Sequence, residues 1–131
     1  MTVVDASALV AILLDEPEAE RFARYLLARP GCAVSPVGYW EAATRLRGIR
    51  GDGGVAELDT LMRQLDLAVV PATANTASLA AKAERAFGKR TPARLNMGDC
   101  FAYALARELD APLLYKGADF NRTDVQAARI P

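Results

Sequence analysis

Four short apolar runs, several of them rich in β-branched residues, alternate with helical segments along the chain, and this alternation restricts the fold more than any other feature. The runs cover residues 2–5, 32–34, 67–71 and 111–115. Strands that alternate with helices predict a parallel sheet with helices on both faces. We therefore expect an α/β fold: a three-layer α/β/α sandwich around a central, mostly parallel sheet of four to five strands.

Apolar spacing and end signals place six helices between and after these strands. They are predicted for residues 6–14, 17–29, 36–49, 55–65, 72–87 and 96–110. The glycine-rich stretch 51–54 is the strongest loop signal and predicts a flexible break between the third and fourth helices. A length of 131 residues with 52% hydrophobic residues suits a single domain, 1–131, with a proper core.

The overall charge and the apolar runs exclude several classes of protein. Lys and Arg together number 16, as do Asp and Glu, so no global field draws the chain to nucleic acid or anionic lipid. The longest apolar run, residues 9–14, is too short to span a bilayer, and no basic region precedes an apolar one at the N-terminus. We therefore expect a cytoplasmic protein without a membrane partner. Cys32 and Cys100 lack metal-ligand spacing and are expected to be small buried thiols.

The chain contains no histidine. This excludes a Ser-His-Asp triad, a Cys-His pair and a histidine zinc site. Any general base near neutral pH must come from another group, and carboxylates are the obvious supply. Acidic oxygen ligands suit Mg²⁺ or Mn²⁺, which can provide an activated water.

Two acids stand where a strand or loop meets a helix. Asp5 follows the first strand, at the edge where parallel sheets place their ligands, but it could equally be a helix N-cap. Asp99 opens a helix that is otherwise almost all apolar. It could form a capping box with Asn96 or hold a cation.

Two further acids have similar alternatives. Glu41 lies too deep in the third helix to be a cap, and could form a surface salt bridge with Arg45 one turn later. Asp119 follows the last strand and could form an Asx-turn beside Gly117. In the expected fold all four acids can gather at one edge of the sheet. Four converging carboxylates would repel strongly unless a divalent cation neutralised them.

A basic loop, residues 89–94, precedes Asp99, and Lys82 and Arg85 lie on the helix before it. Such loops are usually solvated surface, but this one could also guide a phosphate backbone towards the acids. We expect the four acids to lie in a shallow cleft, with Arg45, Arg47 and Arg94 among the basic residues at its edge.

The ordered set of motifs resembles PIN-domain ribonucleases, and more narrowly the VapC toxins of type II toxin-antitoxin pairs. The motifs are Val4-Asp5-Ala6-Ser7-Ala8, Glu41 in the third helix, the stretch 96–106 that begins Asn96-Met97-Gly98-Asp99, and Lys116-Gly117-Ala118-Asp119-Phe120 followed by Thr123-Asp124. The resemblance covers essentially the whole chain.

The resemblance implies a metal-dependent endoribonuclease whose catalytic acids are Asp5, Glu41, Asp99 and Asp119. Asp5 and Asp99 would be the chief ligands of Mg²⁺ or Mn²⁺, with the other two acids binding directly or through water. Cleavage would leave a 5′-phosphate and a 3′-hydroxyl, and the expected substrates are single-stranded loops of tRNA or rRNA. The implied partners are a VapB-type antitoxin, which often presents an arginine to the acids, and a second copy of the toxin.

Two supporting residues, one departure and one possible further acid accompany the resemblance. Ser7 stands where the family commonly has a hydroxyl beside the first acid, and Asn96 where it often has a polar residue that supports the third. Many PIN domains have Ser or Thr after the last core strand, where this chain has Tyr115-Lys116. Asp124 is a possible extra acid near the pocket, ranked behind Asp119.

Two other functions remain open on the sequence alone. A phosphate-transferring hydrolase of the haloacid dehalogenase type also begins with an Asp after the first strand, but its second Asp, two residues on, is replaced here by Ser7. A non-catalytic PIN-like module that binds RNA or protein would be expected to have lost one of the acids, and all four are present.

Overall fold

The computed structural model describes residues 1–131, the whole chain, as four strands, six α-helices and one short 3-10 helix. The strands are β1 (Val3–Val4), β2 (Ala33–Val34), β3 (Ala68–Val69) and β4 (Leu113–Leu114). The helices are α1 (Ala6–Leu13), α2 (Ala19–Leu27), α3 (Pro36–Arg50), α4 (Asp52–Gln64), α5 (Ala74–Phe87) and α6 (Met97–Glu108), and the 3-10 helix is Asp119–Arg122. Each predicted strand and helix is present, and most are one to two residues shorter at an end.

All the strands are parallel, in the order β3-β2-β1-β4. Val3 pairs with Ala33 on one side and with Leu113 on the other. An isolated parallel bridge between Leu113 and Ala127 brings the C-terminal segment beside β4. The expected parallel sheet is confirmed, and the carboxyl ends of β1 and β4 lie side by side at one edge.

Alternate residues of β1, β2 and β4 enter two separate cores, because successive side chains of a strand point to opposite faces. Both residues of the edge strand β3 are exposed. One core contains Val4, Val34 and Leu114 and is covered by α1 to α4. The other contains Val3, Ala33 and Leu113 and is covered by α5 and α6. These two cores with the sheet between them are the three layers that the sequence predicts.

The sequence predicts a flexible break at residues 51–54, but only Gly51 lies between α3 and α4. Gly51 has φ of +67°, which separates α3 from α4, whereas Gly53 and Gly54 are already helical. A Cβ on Gly54 would lie 2.6 Å from the backbone oxygen of Leu46. Glycine is required there because the two helices approach closely, and the stretch is therefore a tight corner between packed helices.

Two smaller expectations can be compared with the structure. None of the helices combines the length and the apolar character needed to cross a bilayer. Cys32 and Cys100 are both buried free thiols, as predicted.

Candidate active site

A cleft of about 180 Å³ lies at the carboxyl ends of β1 and β4. The structure brings all six predicted site residues to its wall: Asp5, Ser7, Glu41, Asn96, Asp99 and Asp119. The remaining lining residues are Ala6, Val10, Arg45, Lys116 and Phe120. Acids from four separate segments of the chain therefore share one pocket.

Asp5 is both the N-cap of α1 and a wall of the cleft. Its Oδ2 accepts hydrogen bonds from the Ser7 backbone N–H at 3.0 Å and from the Ser7 hydroxyl at 2.6 Å. Its Oδ1 is buried and has no hydrogen-bond partner. Burial raises the pKa of Asp5 to about 6, although the hydrogen bonds from Ser7 act in the opposite direction. Capping thus uses one carboxylate oxygen and leaves the other without a partner.

The Ser7 hydroxyl connects the two strand ends that form the cleft. It donates to Asp5 and accepts a hydrogen bond from the Lys116 backbone N–H at 2.9 Å, just beyond β4. This bridge fixes the rotation of the Asp5 carboxylate relative to the end of β4.

Asp99 likewise combines a capping role with a place in the cleft. Its backbone N–H donates to Asn96 Oδ1 at 2.9 Å, and its Oδ2 accepts from the Asn96 backbone N–H at 3.0 Å, which completes a capping box. Burial raises the pKa of Asp99 to about 6; the Asn96 hydrogen bond opposes this rise, and the charges of Asp5 and Asp119 add to it. The sequence offered the capping box and the cation site as alternatives for Asp99. In the structure Asp99 forms the capping box and also lines the acidic cleft.

Glu41 does not form the surface salt bridge that its spacing from Arg45 allows, since no Glu41–Arg45 pair lies within 4.0 Å. Its carboxylate packs on the first turn of α6, where a Cβ on Gly98 would lie only 2.7 Å and 2.8 Å from the two Glu41 oxygens. Burial raises the pKa of Glu41, the charge of Asp99 raises it further, and Arg45 lowers it. The absence of a side chain at Gly98 is what lets Glu41 reach the other acids.

Asp119 is the most exposed of the four acids and begins the 3-10 helix. Its side chain makes no hydrogen bond within the chain, so the Asx-turn alternative is not observed. Buried Phe120, the next residue, anchors this turn in the core beneath the cleft.

Lys116 is a cleft residue that the sequence interpretation missed. Its ammonium group forms ion pairs with Glu16 at 3.0 Å and Glu18 at 3.5 Å. The sequence signal for Lys116 is its position just after β4. The structure adds that the carboxyl end of β4 adjoins that of β1. Tyr115 does not line the cleft, and its hydroxyl donates to Asn121 at 2.8 Å. Ser7, and not a residue after β4, therefore supplies the hydroxyl group that lines this cleft.

Three residues proposed from the sequence lie elsewhere. Asp124 accepts a hydrogen bond from the Tyr103 hydroxyl at 2.5 Å and lies 3.6 Å from Arg107, so it is not an extra acid of the cleft. Arg47 and Arg94 do not line the cleft, and Arg45 alone of the three does. Within the basic loop, Lys89 lies near enough to lower the pKa of Asp99.

The donor set suits a hydrated divalent cation. No group of three or more Asp, Glu or Cys side chains is positioned to hold an ion by itself. Mg²⁺, however, usually keeps several waters and binds proteins through one or two carboxylates. The unpartnered Oδ1 of Asp5 and the raised pKa values of Asp5 and Asp99 are what a cation would relieve. The cleft therefore fits a hydrated divalent cation.

Comparisons with known proteins place the chain among relatives of the same length and fold. The family model for the PIN domain matches residues 2–126. Ribonuclease VapC30 of Mycobacterium tuberculosis is 42% identical over 130 residues, which are 98% of this chain and 99% of the relative.

Two solved structures have the same fold. VapC20 of Mycobacterium tuberculosis, described as a sarcin-ricin loop cleaving toxin, has a TM-score of 0.80 at 16% identity and covers 98% of this chain and 99% of its own. VapBC2 from Rickettsia felis, bound to a DNA fragment from its promoter, has a TM-score of 0.75 at 13% identity, with 98% and 96% covered. At such identities these two likenesses show the fold alone.

Proposed function

The chain belongs to the PIN domain family, and from that membership we propose that it is a VapC-type endoribonuclease toxin that requires a divalent metal ion. The observation that carries the proposal is the acidic cleft, in which buried Asp5 keeps one carboxylate oxygen without any partner in the chain. An unsatisfied buried acceptor costs free energy, and a bound cation would offset that cost. The other buried carboxylate oxygen without a hydrogen bond, Glu18 Oε1, has the Lys116 ammonium 3.5 Å away, whereas Asp5 Oδ1 has no cation of the chain beside it.

In the proposed site, Asp5 and Asp99 would hold Mg²⁺ or Mn²⁺, and Glu41 and Asp119 would bind the ion directly or through water. When bound, the ion lowers the pKa of a water and offsets negative charge on the phosphate. Ser7 orients Asp5 through its 2.6 Å hydrogen bond, and Asn96 orients Asp99 through the capping box. Arg45 lines the cleft and has no carboxylate partner within 4.0 Å, so it is free to approach a phosphate.

The proposed reaction is hydrolysis of an RNA phosphodiester. A water oxygen bonds to phosphorus and the P–O3′ bond breaks, which leaves a 3′-hydroxyl and a 5′-phosphate. The raised pKa values of Asp5 and Asp99 show how strongly the cleft disfavours uncompensated negative charge. An RNA phosphate is therefore expected to enter only when cations are present.

The proposed biological setting follows from the relatives. The substrate is RNA with unpaired bases, in loops of tRNA or rRNA, and the effect of cleavage is to inhibit translation and growth. A VapB-type antitoxin and a second copy of the chain are the proposed partners. Residues 1–131 act as one domain in this scheme, since the family match runs almost from end to end.

The test is cleavage of total RNA by the purified, antitoxin-free chain with Mg²⁺ or Mn²⁺, and again with EDTA. We expect metal-dependent cutting that is lost in Asp99→Asn and kept in Asp124→Asn, which removes a carboxylate outside the cleft. Phosphorylated 5′ ends on the products would support attack by water. If folded protein bound no divalent ion and cut nothing, the alternative of a non-catalytic binding module would replace the proposal.

A further inference from the structure

Trp40 is an exposed aromatic side chain on α3, one residue before Glu41 of the acidic cleft. It is the only tryptophan of the chain, and 59% of it is exposed. The next residue on α3 is Glu41, which lines the cleft, so the two positions differ by about 1.5 Å along the helix axis. Consecutive side chains of a helix point about 100° apart, so Trp40 lies on the face of α3 next to the one that lines the cleft.

The fold itself makes little use of this ring. Trp40 belongs to neither hydrophobic core and packs against neither. The two aromatic pairs and the one cation–ring contact of the chain involve other residues. Of the large apolar side chains that are exposed, Trp40 is the only aromatic one. Its ring is available to an external partner.

The surroundings of Trp40 favour a polyanion. Arg45 lines the cleft, and Arg47 lies seven residues after Trp40, two turns along the same helix face and about 10 Å away. Both arginines are exposed, and neither forms an ion pair within the chain. An aromatic ring beside unpaired arginines is a combination that binds single-stranded nucleic acid, in which bases stack on the ring and phosphates pair with the guanidinium groups.

We propose that Trp40 binds by stacking an unpaired base of an RNA chain that runs out of the cleft, with Arg47 pairing to a phosphate on the same face of α3 and Arg45 to a phosphate in the cleft. This inference deepens the proposed ribonuclease function and rests on it. Stacking accepts every base, since each has a π-face, so Trp40 favours unpaired over duplex RNA without selecting a sequence.

The first experiment compares cleavage kinetics on a 20-nucleotide unstructured RNA of mixed sequence. We expect Trp40→Ala to raise KM at least about fivefold, the low end for loss of one stacked base, with a smaller change in kcat. Trp40→Phe keeps a ring and should retain most of the affinity. Ile49→Ala is the matched control, because it removes an exposed apolar side chain from the far end of the same helix.

The second experiment uses the emission of the single tryptophan. In an Asp99→Asn background, which prevents cleavage, titration with the same RNA should quench the emission in a saturable manner, and an RNA hairpin of equal length with few unpaired bases should quench it less.

Three outcomes would overturn the inference. In the first, wild type cuts RNA and Trp40→Ala cuts it equally well, which leaves the proposed function intact. In the second, emission depends on protein concentration and not on RNA, which assigns Trp40 to a protein interface. In the third, wild type neither binds nor cuts RNA, in which case the proposed function fails as well.

Discussion

Asp5 and Asp99 each use one carboxylate oxygen to cap a helix and leave the other without a hydrogen bond in the chain. Oδ2 of both residues accepts hydrogen bonds at a helix N-terminus, from Ser7 and from the Asn96 backbone. Such bonds hold the carboxylate in one orientation and favour its charged form. The capping and catalytic interpretations of these acids are therefore compatible, because the cap positions the free oxygen.

Substitutions of Ser7 would test how much the orientation of the Asp5 carboxylate matters for cleavage. Ser7→Ala removes the 2.6 Å bond to Asp5 and the acceptor of the Lys116 N–H. We expect kcat for RNA cleavage to fall about 10- to 100-fold, as for loss of groups that orient metal ligands. The free energy of unfolding should fall by about 1 kcal/mol. Ser7→Thr keeps the hydroxyl and should restore most of kcat; equal activity of Ser7→Ala and wild type would contradict the positioning role.

At the scale of elements, the contact between α3 and α6 decides whether Glu41 belongs to the site. Glu41 reaches the other acids only because α6 has glycine at position 98, where a Cβ would come within 3 Å of the Glu41 carboxylate. The sequence shows both residues, but it does not show that they meet across two helices.

Gly98→Ala should displace the Glu41 carboxylate without unfolding the protein. The clash is with the end of a flexible side chain, which can move, so stability should change by less than about 1 kcal/mol. RNA cleavage should fall at least about tenfold, towards the activity of Glu41→Gln. Gly53→Ala is the control, since it is also helical and has no atom within 4 Å of the added Cβ. Full activity in Gly98→Ala would show that the position of Glu41 is unimportant.

The sequence predicts the elements well and the contacts between them less well. The short strands and the acids that follow β1 and β4 are local patterns, so Asp5 and Asp119 could be located from periodicity and strand ends. Lys116 was missed because its importance depends on which strands are neighbours in the sheet. The sequence leaves the place of Asp124 open, because a hydrogen bond from the distant Tyr103 holds it outside the cleft. The extent of the glycine-rich break was misjudged, because Gly54 serves the close approach of two helices.

For the whole molecule, zero net charge conceals an uneven distribution. Lys+Arg and Asp+Glu balance at 16 each, yet four acids are gathered in one cleft. Such a concentration opposes folding whenever the carboxylates are ionised and uncompensated. A divalent ion should therefore act on the stability of the whole chain as well as on cleavage.

This coupling predicts a characteristic dependence of metal-free stability on pH. The folded-state pKa values of Asp5 and Asp99, about 6, lie above the ordinary value of 3.8, so between about pH 4 and pH 6 the folded state binds more protons than the unfolded state. Through these groups the protein is therefore more stable below about pH 4, and the free energy of unfolding falls as pH rises from about 4 to about 6. Within that window, buried Asp5 lowers the free energy of unfolding by up to about 1.4 kcal/mol for each pH unit of increase. Asp99 lowers it further.

Thermal unfolding with EDTA or with Mg²⁺ would measure both effects. With EDTA, Asp99→Asn should have a higher Tm than wild type at pH 7 and a weaker dependence on pH below 6. Mg²⁺ at about 100 times its Kd should stabilise wild type by about 2.7 kcal/mol, because the ion binds only the folded cleft. For a chain of this size that is a rise in Tm of roughly 10 °C. Asp99→Asn should lose this rise and Asp124→Asn should keep it; an equal response of all three proteins would place the metal outside the cleft.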